Sequence, residues 1–355
     1  MMITFSTFLQ QLVSNPPFLI SVVLILAAIL VNGGTDAPNA IATCVSTRSI
    51  SPRAAIFMAA GCNLLGIIVM TKLCPTVAET IYKMVDFGND AHSATIALCA
   101  AMIAIVLWGG VAWIFGIPTS QSHSLIAGLT GAAIAVHNGL AGIHGEEWVK
   151  VLYGLALSAG LGFGLGWFAS KLTGFICRKK DRRRTSSFFR GAQIFGGALM
   201  AFMHGAQDGQ KFISVLLMGL YFAIGKTASA TTVSGAMNVP TWMMVLCAIT
   251  MATGTAIAGP RIIKSVGMTM VKLERYQGFA ANMAGAVCLL ISNLTGWPVS
   301  TTHTNTTAIM GVGSAKRFSA VNWGVAKTMA LTWILTFPGC GLIGYGVAKI
   351  CIMLL

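Results

Sequence analysis

The sequence predicts an all-α polytopic membrane protein assembled from two related halves, and three observations predict it. Of its 355 residues 55% are hydrophobic and only 9% are charged, against about 25% charged in an ordinary soluble domain. With a mean hydropathy of +0.78, such a chain is too apolar to be disordered and too poor in polar groups to cover a surface in water, so the bilayer is its natural solvent. Apolar runs recur along the whole length. One pair of polar motifs occurs twice, in the same order and at similar spacing.

The runs span 17–31, 54–71, 93–115, 149–167, 193–203, 212–224, 239–258, 278–291 and 325–355. Several approach the roughly 20 residues a transmembrane helix needs. Others are short and cut by Gly, Pro, Asp or His, which predicts broken helices or re-entrant hairpins; such backbone survives at membrane depth only where protein buries it or it lines a polar cavity. The 40 glycines suit close helix packing.

The formal charge of +14 does not point to nucleic acid, because no basic patch is interleaved with aromatic residues for base stacking. Much of it falls in one segment, 177–190, with seven Lys/Arg and a single Asp. By the positive-inside rule this segment is a cytoplasmic loop, dividing the chain into a first membrane repeat (1–176), the basic loop (177–190) and a second membrane repeat (191–355). Its ordinary role is to set orientation; contact with lipid headgroups or regulation is the alternative. The nine cysteines are scattered without a C-x-x-C pair, so they read as packing residues rather than metal ligands or disulfides. The first 14 residues lack a basic n-region, and no cleavable secretory signal is expected there.

The first motif is Asn32-Gly-Gly-Thr-Asp-Ala-Pro-Asn-Ala40, matched by His204-Gly-Ala-Gln-Asp-Gly-Gln-Lys211. Aligned on Asp36 and Asp208, Gly33 falls on Gly205. The second is Gly116-Ile-Pro-Thr-Ser-Gln-Ser-His-Ser124, matched by Gly296-Trp-Pro-Val-Ser-Thr-Thr-His-Thr304, and Gly131/Gly311 and Ala135/Ala315 extend it. Asp36 and Asp208 are two of nine acids in the chain. A carboxylate in an apolar segment is costly unless paired or facing a wet cavity, so two at matching positions predict a shared polar site, with a helix cap or a buried pair with Lys211 as the structural reading. The flanking glycines and Pro38 predict unwound breaks, whose carbonyls suit a cation and whose half-helix N–H groups suit an anion.

The second motif is rich in hydroxyls. A helix starting near Pro118 or Pro298 needs one Ser or Thr as its N-cap; the surplus among Thr119, Ser120, Ser122, Ser124, Ser300, Thr301, Thr302 and Thr304 forms a donor-rich concavity for a tetrahedral oxyanion. His123 and His303 match each other. A shared ligand role and a hydrogen bond steadying the hairpin tip both fit them, and the same holds for His204.

With both motif pairs in view, the sequence resembles the inorganic phosphate transporter (PiT) family, whose duplicated signature is similar to G-x-N-D-x-x-N-A and H-G-x-N-D-x-Q-K, each followed by P-x-S-x-S/T-H. The matching stretches are Gly33–Ala40, His204–Lys211, Pro118–His123 and Pro298–His303. The segment Arg261-Ile-Ile-Lys264 also looks like a loop of the family. The resemblance implies two inverted-topology repeats, each with a broken helix and a re-entrant hairpin. It implies symport of inorganic phosphate with Na+ or H+, no enzymatic step, and a homodimer in the plasma (inner) membrane.

Carried onto this sequence, the substrate set is Asp36, Ser120, Gln121, Ser122, Asp208, Lys211, Ser300, Thr301 and Thr302. The cation-coupling set is Asp36, Asn39, Thr43, Asp208, Gln210 and Asn282, with Na+ at Asp36 and Asp208 as one option. Three positions depart from the family pattern: Thr35 and Gln207 stand where Asn often precedes each Asp, and Asn282 where many relatives carry an acid. A sulfate permease of the same family is the alternative substrate reading. An intramembrane Ser/His hydrolase fits poorly, because Ser122 and His123 diverge by about 100° on a helix and a duplicated element suits a symmetric site. A passive anion channel fits poorly because paired acids line an anion pore badly.

Overall fold

The structure is a computed structural model that describes residues 4–115, 119–225 and 239–354, apart from the side chains at 182, 260, 261 and 264–269. It is helical throughout. The first half comprises α1 (Phe5–Ser14), α2 (Pro16–Thr35), α3 (Ala37–Ser46), α4 (Pro52–Leu73), α5 (Thr76–Lys83), α6 (Ala91–Phe115), α7 (Gln121–His137) and α8 (Gly145–Cys177). The second comprises α9 (Arg182–Ala223), α10 (Thr241–Thr269), α11 (Arg275–Thr295), α12 (Thr301–Lys316) and α13 (Trp323–Leu354). Among the described residues the extended pairing consists of two isolated bridges, Val85 to Ile143 and Val271 to Val321. Among the described residues, seven helical stretches are long and apolar enough to cross a membrane.

The starts follow local chemistry. Asn15 accepts from Phe18 N–H ahead of two prolines that pre-set the first turn of α2, Ser51 caps α4 ahead of Pro52, and Asp181 caps α9 by accepting from Arg184 N–H at 2.9 Å. Radial polarity is inverted relative to a soluble protein. Large apolar side chains such as Val23, Phe57, Val111, Phe168 and Leu342 lie outside, while Asn32, Asp36, Gln121, Asp208 and Lys211 are sealed inside.

The helix pairings come in matched sets. α2 packs on α10 and α9 on α4; α7 packs on α13 and α12 on α8; α6 lies against α7 and α13, as α11 does against α12 and α8. Glycines make the closest crossings. A Cβ on Gly131 would sit 2.0 Å from the Gly341 carbonyl oxygen, and one on Gly311 2.0 Å from that of Phe163. A Cβ on Gly33 would sit 2.1 Å from the Met251 oxygen, and one on Gly205 2.3 Å from that of Asn63. These four glycines, duplicated in the sequence, are where helix backbones touch.

The structure differs from the sequence expectation at three places. The break at Asp36 is present, but α9 runs unbroken through Asp208, joining the apolar runs 193–203 and 212–224. Pro38 has no N–H to continue a ladder, whereas the matching Gln210 keeps its own. The basic segment is a loop only over 178–181: with Asp181 capping it, α9 is helical from Arg182. The stretch 261–264, likened to a loop, lies within α10.

Candidate functional site

Two helix starts build the site. Ser120 Oγ accepts from His123 N–H at 3.3 Å and Ser300 Oγ from His303 N–H at 3.1 Å, so these two hydroxyl oxygens cap α7 and α12. Capping by one serine leaves the next side chains of each helix free to face inward. Pro118 lies outside the described residues. Its counterpart Pro298 stands two residues before the Ser300 cap.

Asp36 stands between α2 and α3. Its N–H donates to Asn32 O at 2.8 Å, and its carbonyl accepts from Asn39 N–H at 3.0 Å. One carboxylate oxygen accepts from Gln121 N–H at 3.1 Å, the first backbone donor of α7; an anion there is favoured by the helix dipole. The other oxygen, Oδ1, is buried without a hydrogen-bond partner.

Asp208 sits on the continuous face of α9 and gathers more partners. Its Oδ1 accepts from Lys211 Nζ at 2.9 Å and Ser122 Oγ at 3.3 Å; its Oδ2 accepts from Asn32 Nδ2 at 2.9 Å and Thr301 Oγ1 at 3.3 Å. His204 Nε2 lies 3.3 Å from Oδ2, while its Nδ1 is 2.9 Å from Asn63 Oδ1. Lys211 uses its ammonium on Asp208, on Ser122 Oγ at 2.7 Å and on Val299 O at 2.6 Å. Asp36, Asp208 and Lys211 have no exposed surface, so the buried pair with Lys211 is realised. Such a pair is costly to desolvate and is tolerable here because each remaining donor and acceptor is engaged.

Asn39 extends the cluster. Its Nδ2 donates to Thr302 Oγ1 at 2.8 Å, and its carbonyl accepts from Asn305 Nδ2 at 2.6 Å. A neighbouring buried cluster joins α3, α9 and α11: Thr43 Oγ1 donates to Asn282 Oδ1 at 2.8 Å and accepts from Gln193 Nε2 at 3.0 Å, and Asn282 Nδ2 faces Cys44 Sγ at 3.6 Å. Asn282, standing where an acid was expected, is a neutral partner for Thr43.

Asp36, Asn39, Gln121, Ser122, Asp208, Lys211, Thr301 and Thr302 are therefore brought together at the starts of α7 and α12. Others go elsewhere. Gln210 turns its amide to Cys74 O at 3.1 Å and Ala78 N–H at 3.3 Å, bracing α5. Gln207 donates to Trp297 O at 3.3 Å, and Thr35 Oγ1 donates back to Val31 O at 2.8 Å. His123 and His303 meet edge to face, with centroids 4.4 Å apart. They pack against Phe337 and Trp333 of α13 at 4.7 and 3.7 Å. The contacts of these two rings are therefore with each other and with α13.

Asn32, Asn63, Gln193 and Asn305 were not anticipated. Asn32 had a signal: it lies four residues before Asp36, as His204 does before Asp208, and both converge on the Asp208 carboxylate. The other three belong to helix faces outside the duplicated motifs.

Comparison with known proteins follows the same lines. The model of the phosphate transporter family matches residues 32–344. A probable low-affinity inorganic phosphate transporter of Bacillus subtilis (strain 168) is 36% identical over 317 residues, covering 89% of this chain and 92% of that one. A protein of the same description from Rhizobium meliloti (strain 1021) is 36% identical over 313 residues, covering 88% and 90%. Among solved structures, one titled the sodium-dependent phosphate transporter superposes with a TM-score of 0.83 at 22% identity, covering 96% of this chain and all of that one.

Proposed function

The chain belongs to the phosphate transporter family, and we propose that it imports inorganic phosphate across the plasma membrane by symport with Na+, binding its substrate near the bilayer midplane between two inverted-topology repeats. The observation that carries this reading is the seating of two buried carboxylates on the donors of α7 and α12. Gln121 N–H, the hydroxyls of Ser122 and Thr301, and the Lys211 ammonium hold these internal anions; the same donors suit the oxygens of a phosphate. The matched helix pairings favour the inverted repeat, because the main packing pairs, α2 on α10 with α9 on α4 and α7 on α13 with α12 on α8, come in corresponding sets.

The coupling follows from charge. With the carboxylates ionised, the site repels a second anion. A cation on Asp36 and one on Asp208 would neutralise them and release the donors. Ser120 and Ser300 accept as caps yet keep their hydroxyl hydrogens, so with Ser122, Thr301 and Thr302 they complete the donor set. Na+ rather than H+ is favoured by the atoms left over: Asp36 Oδ1 and the amide oxygens of Asn32, Asn39 and Gln121 are buried without partners. Amide oxygens ligate a hard cation but do not carry a proton at neutral pH. The structure titled sodium-dependent agrees with this choice. Phosphate is favoured over sulfate by the family match and the relatives described as phosphate transporters. Gln210, braced against α5, is left out of the cation set; Thr43 and Asn282 form a second, neutral place for one.

The test is uptake of labelled phosphate into proteoliposomes with Na+ and pH gradients imposed independently. Accumulation driven by inward Na+ at equal pH, and undiminished by excess unlabelled sulfate, is expected; accumulation driven by the pH gradient alone overturns the Na+ assignment. The working unit proposed is a homodimer, checked by native mass spectrometry.

A further inference from the structure

Away from the central site, the end of the molecule that carries the basic segment holds two adjoining clefts between the end of α8 and the starts of α9 and α11. One, of about 520 Å³, is the more polar: Arg178, Lys180 and Arg275 line it with Glu274 and the hydroxyls of Thr47, Thr185 and Ser186. The other, of about 690 Å³, is walled by Ile176, Phe188, Phe189 and Phe279, with Lys180 and Arg184 at its edge. They share Cys177, Lys180, Thr185 and Phe189. Ile176 and Phe188 are 57% and 69% exposed.

The clefts carry a net positive charge. Four basic residues, Arg178, Lys180, Arg184 and Arg275, line them together with two acids, Asp181 and Glu274, of which Asp181 caps α9 and Glu274 pairs with Lys316 at 3.3 Å. Among the described residues none of Arg178, Lys180, Arg184 or Arg275 pairs with a carboxylate. Arg275 reaches across to Ser186, tying α11 to α9 beside the polar cleft. A basic polar cleft joined to an apolar one at a membrane boundary has the shape and charge of one ligand class: phosphodiester against Arg178, Lys180 and Arg275, acyl chain against the phenylalanines.

We propose that these clefts form a binding site for an anionic glycerophospholipid of the cytoplasmic leaflet. The site is distinct from the transport site, and because α9 runs unbroken from the clefts to Asp208, an occupant anchors the helix that carries that carboxylate. Basic groups at an anionic leaflet each add measurably to lipid affinity, whereas a site that recognised only apolar chains would not distinguish headgroups.

The experiment is native mass spectrometry of the intact protein released from nanodiscs of phosphatidylcholine containing a minor fraction of phosphatidylglycerol with identical chains. Retained phosphatidylglycerol enriched over its bulk fraction is expected in the wild type. Lys180→Gln with Arg184→Gln and Arg275→Gln should reduce that retention about tenfold or more, while Lys179→Gln, exposed in the same segment but lining neither cleft, should retain it. Equal retention of both lipids by the wild type overturns the proposal without use of any variant. So does an equal loss in the Lys179→Gln control, which means diffuse attraction, or displacement by millimolar inorganic phosphate, which means an ion site.

Discussion

At the residue scale, Asp208 and Lys211 form a buried ion pair, a carboxylate and an ammonium without exposed surface that satisfy each other and contact the segments that start α7 and α12. Removing one member leaves a buried, uncompensated charge, which costs about 3–5 kcal/mol. Lys211→Met is therefore expected to lower thermal stability in detergent sharply, and Asp208→Asn in the same chain should restore much of it; a double variant no more stable than Lys211→Met alone would show that the pair is not the source of the loss. These two residues were legible in the sequence because acids are rare in it and both stand in duplicated motifs. The fates of Gln210 and Gln207 were not legible. Both flank Asp208 in sequence, but side chains one and two positions away leave a continuous helix in other directions, so continuity of α9 sends Gln210 to α5 and Gln207 to Trp297. A break of the kind expected there would have left these directions open.

At the element scale, the duplicated glycines predict where helices touch. Gly131→Val and Gly311→Val each force a side chain into a facing carbonyl at 2.0 Å, and overpacking of this kind costs about 1–3 kcal/mol. Gly160, whose added Cβ would meet nothing within 4 Å, is the matched control: Gly160→Ala should melt at the wild-type temperature, while both valine variants melt lower. Gly131 and Gly311 could be picked out because they recur in register. That α9 is not interrupted could not be, since the glycines flanking Asp208 are compatible with either course and the absence of a proline decides it. The helical start of α9 was also hidden, because a run of like charges reads as a solvated loop until its Asp181 cap is recognised.

At the scale of the whole molecule, the two ends differ in charge balance. Arg178, Lys180, Arg184, Arg190, Arg275 and Lys316 gather where α8 finishes, with Asp181 and Glu274 among them, whereas Asp86, Asp90, Glu146 and Glu147 lie where it begins, alongside Lys83 and Lys150. The positive-inside rule puts the first group in the cytoplasm. In a background without native cysteines, Glu146→Cys should react with an impermeant maleimide in intact cells and Arg183→Cys only after lysis; the reverse pattern would invert the orientation. The helical membrane class was legible from composition and the apolar runs, and the buried acids from the duplicated motifs, because a bilayer leaves few ways to bury an acid. The central proposal is that phosphate moves because a cation neutralises the paired carboxylates. The direct measurement is phosphate accumulation by proteoliposomes under an inward Na+ gradient, comparing the wild type with Asp36→Asn, which keeps an acceptor for Gln121 N–H but abolishes the charge. The variant is expected to lose gradient-driven accumulation by at least about a hundredfold, the factor carried by roughly 2.8 kcal/mol of lost coupling; accumulation at the wild-type rate, with the same Na+ dependence, would contradict the account.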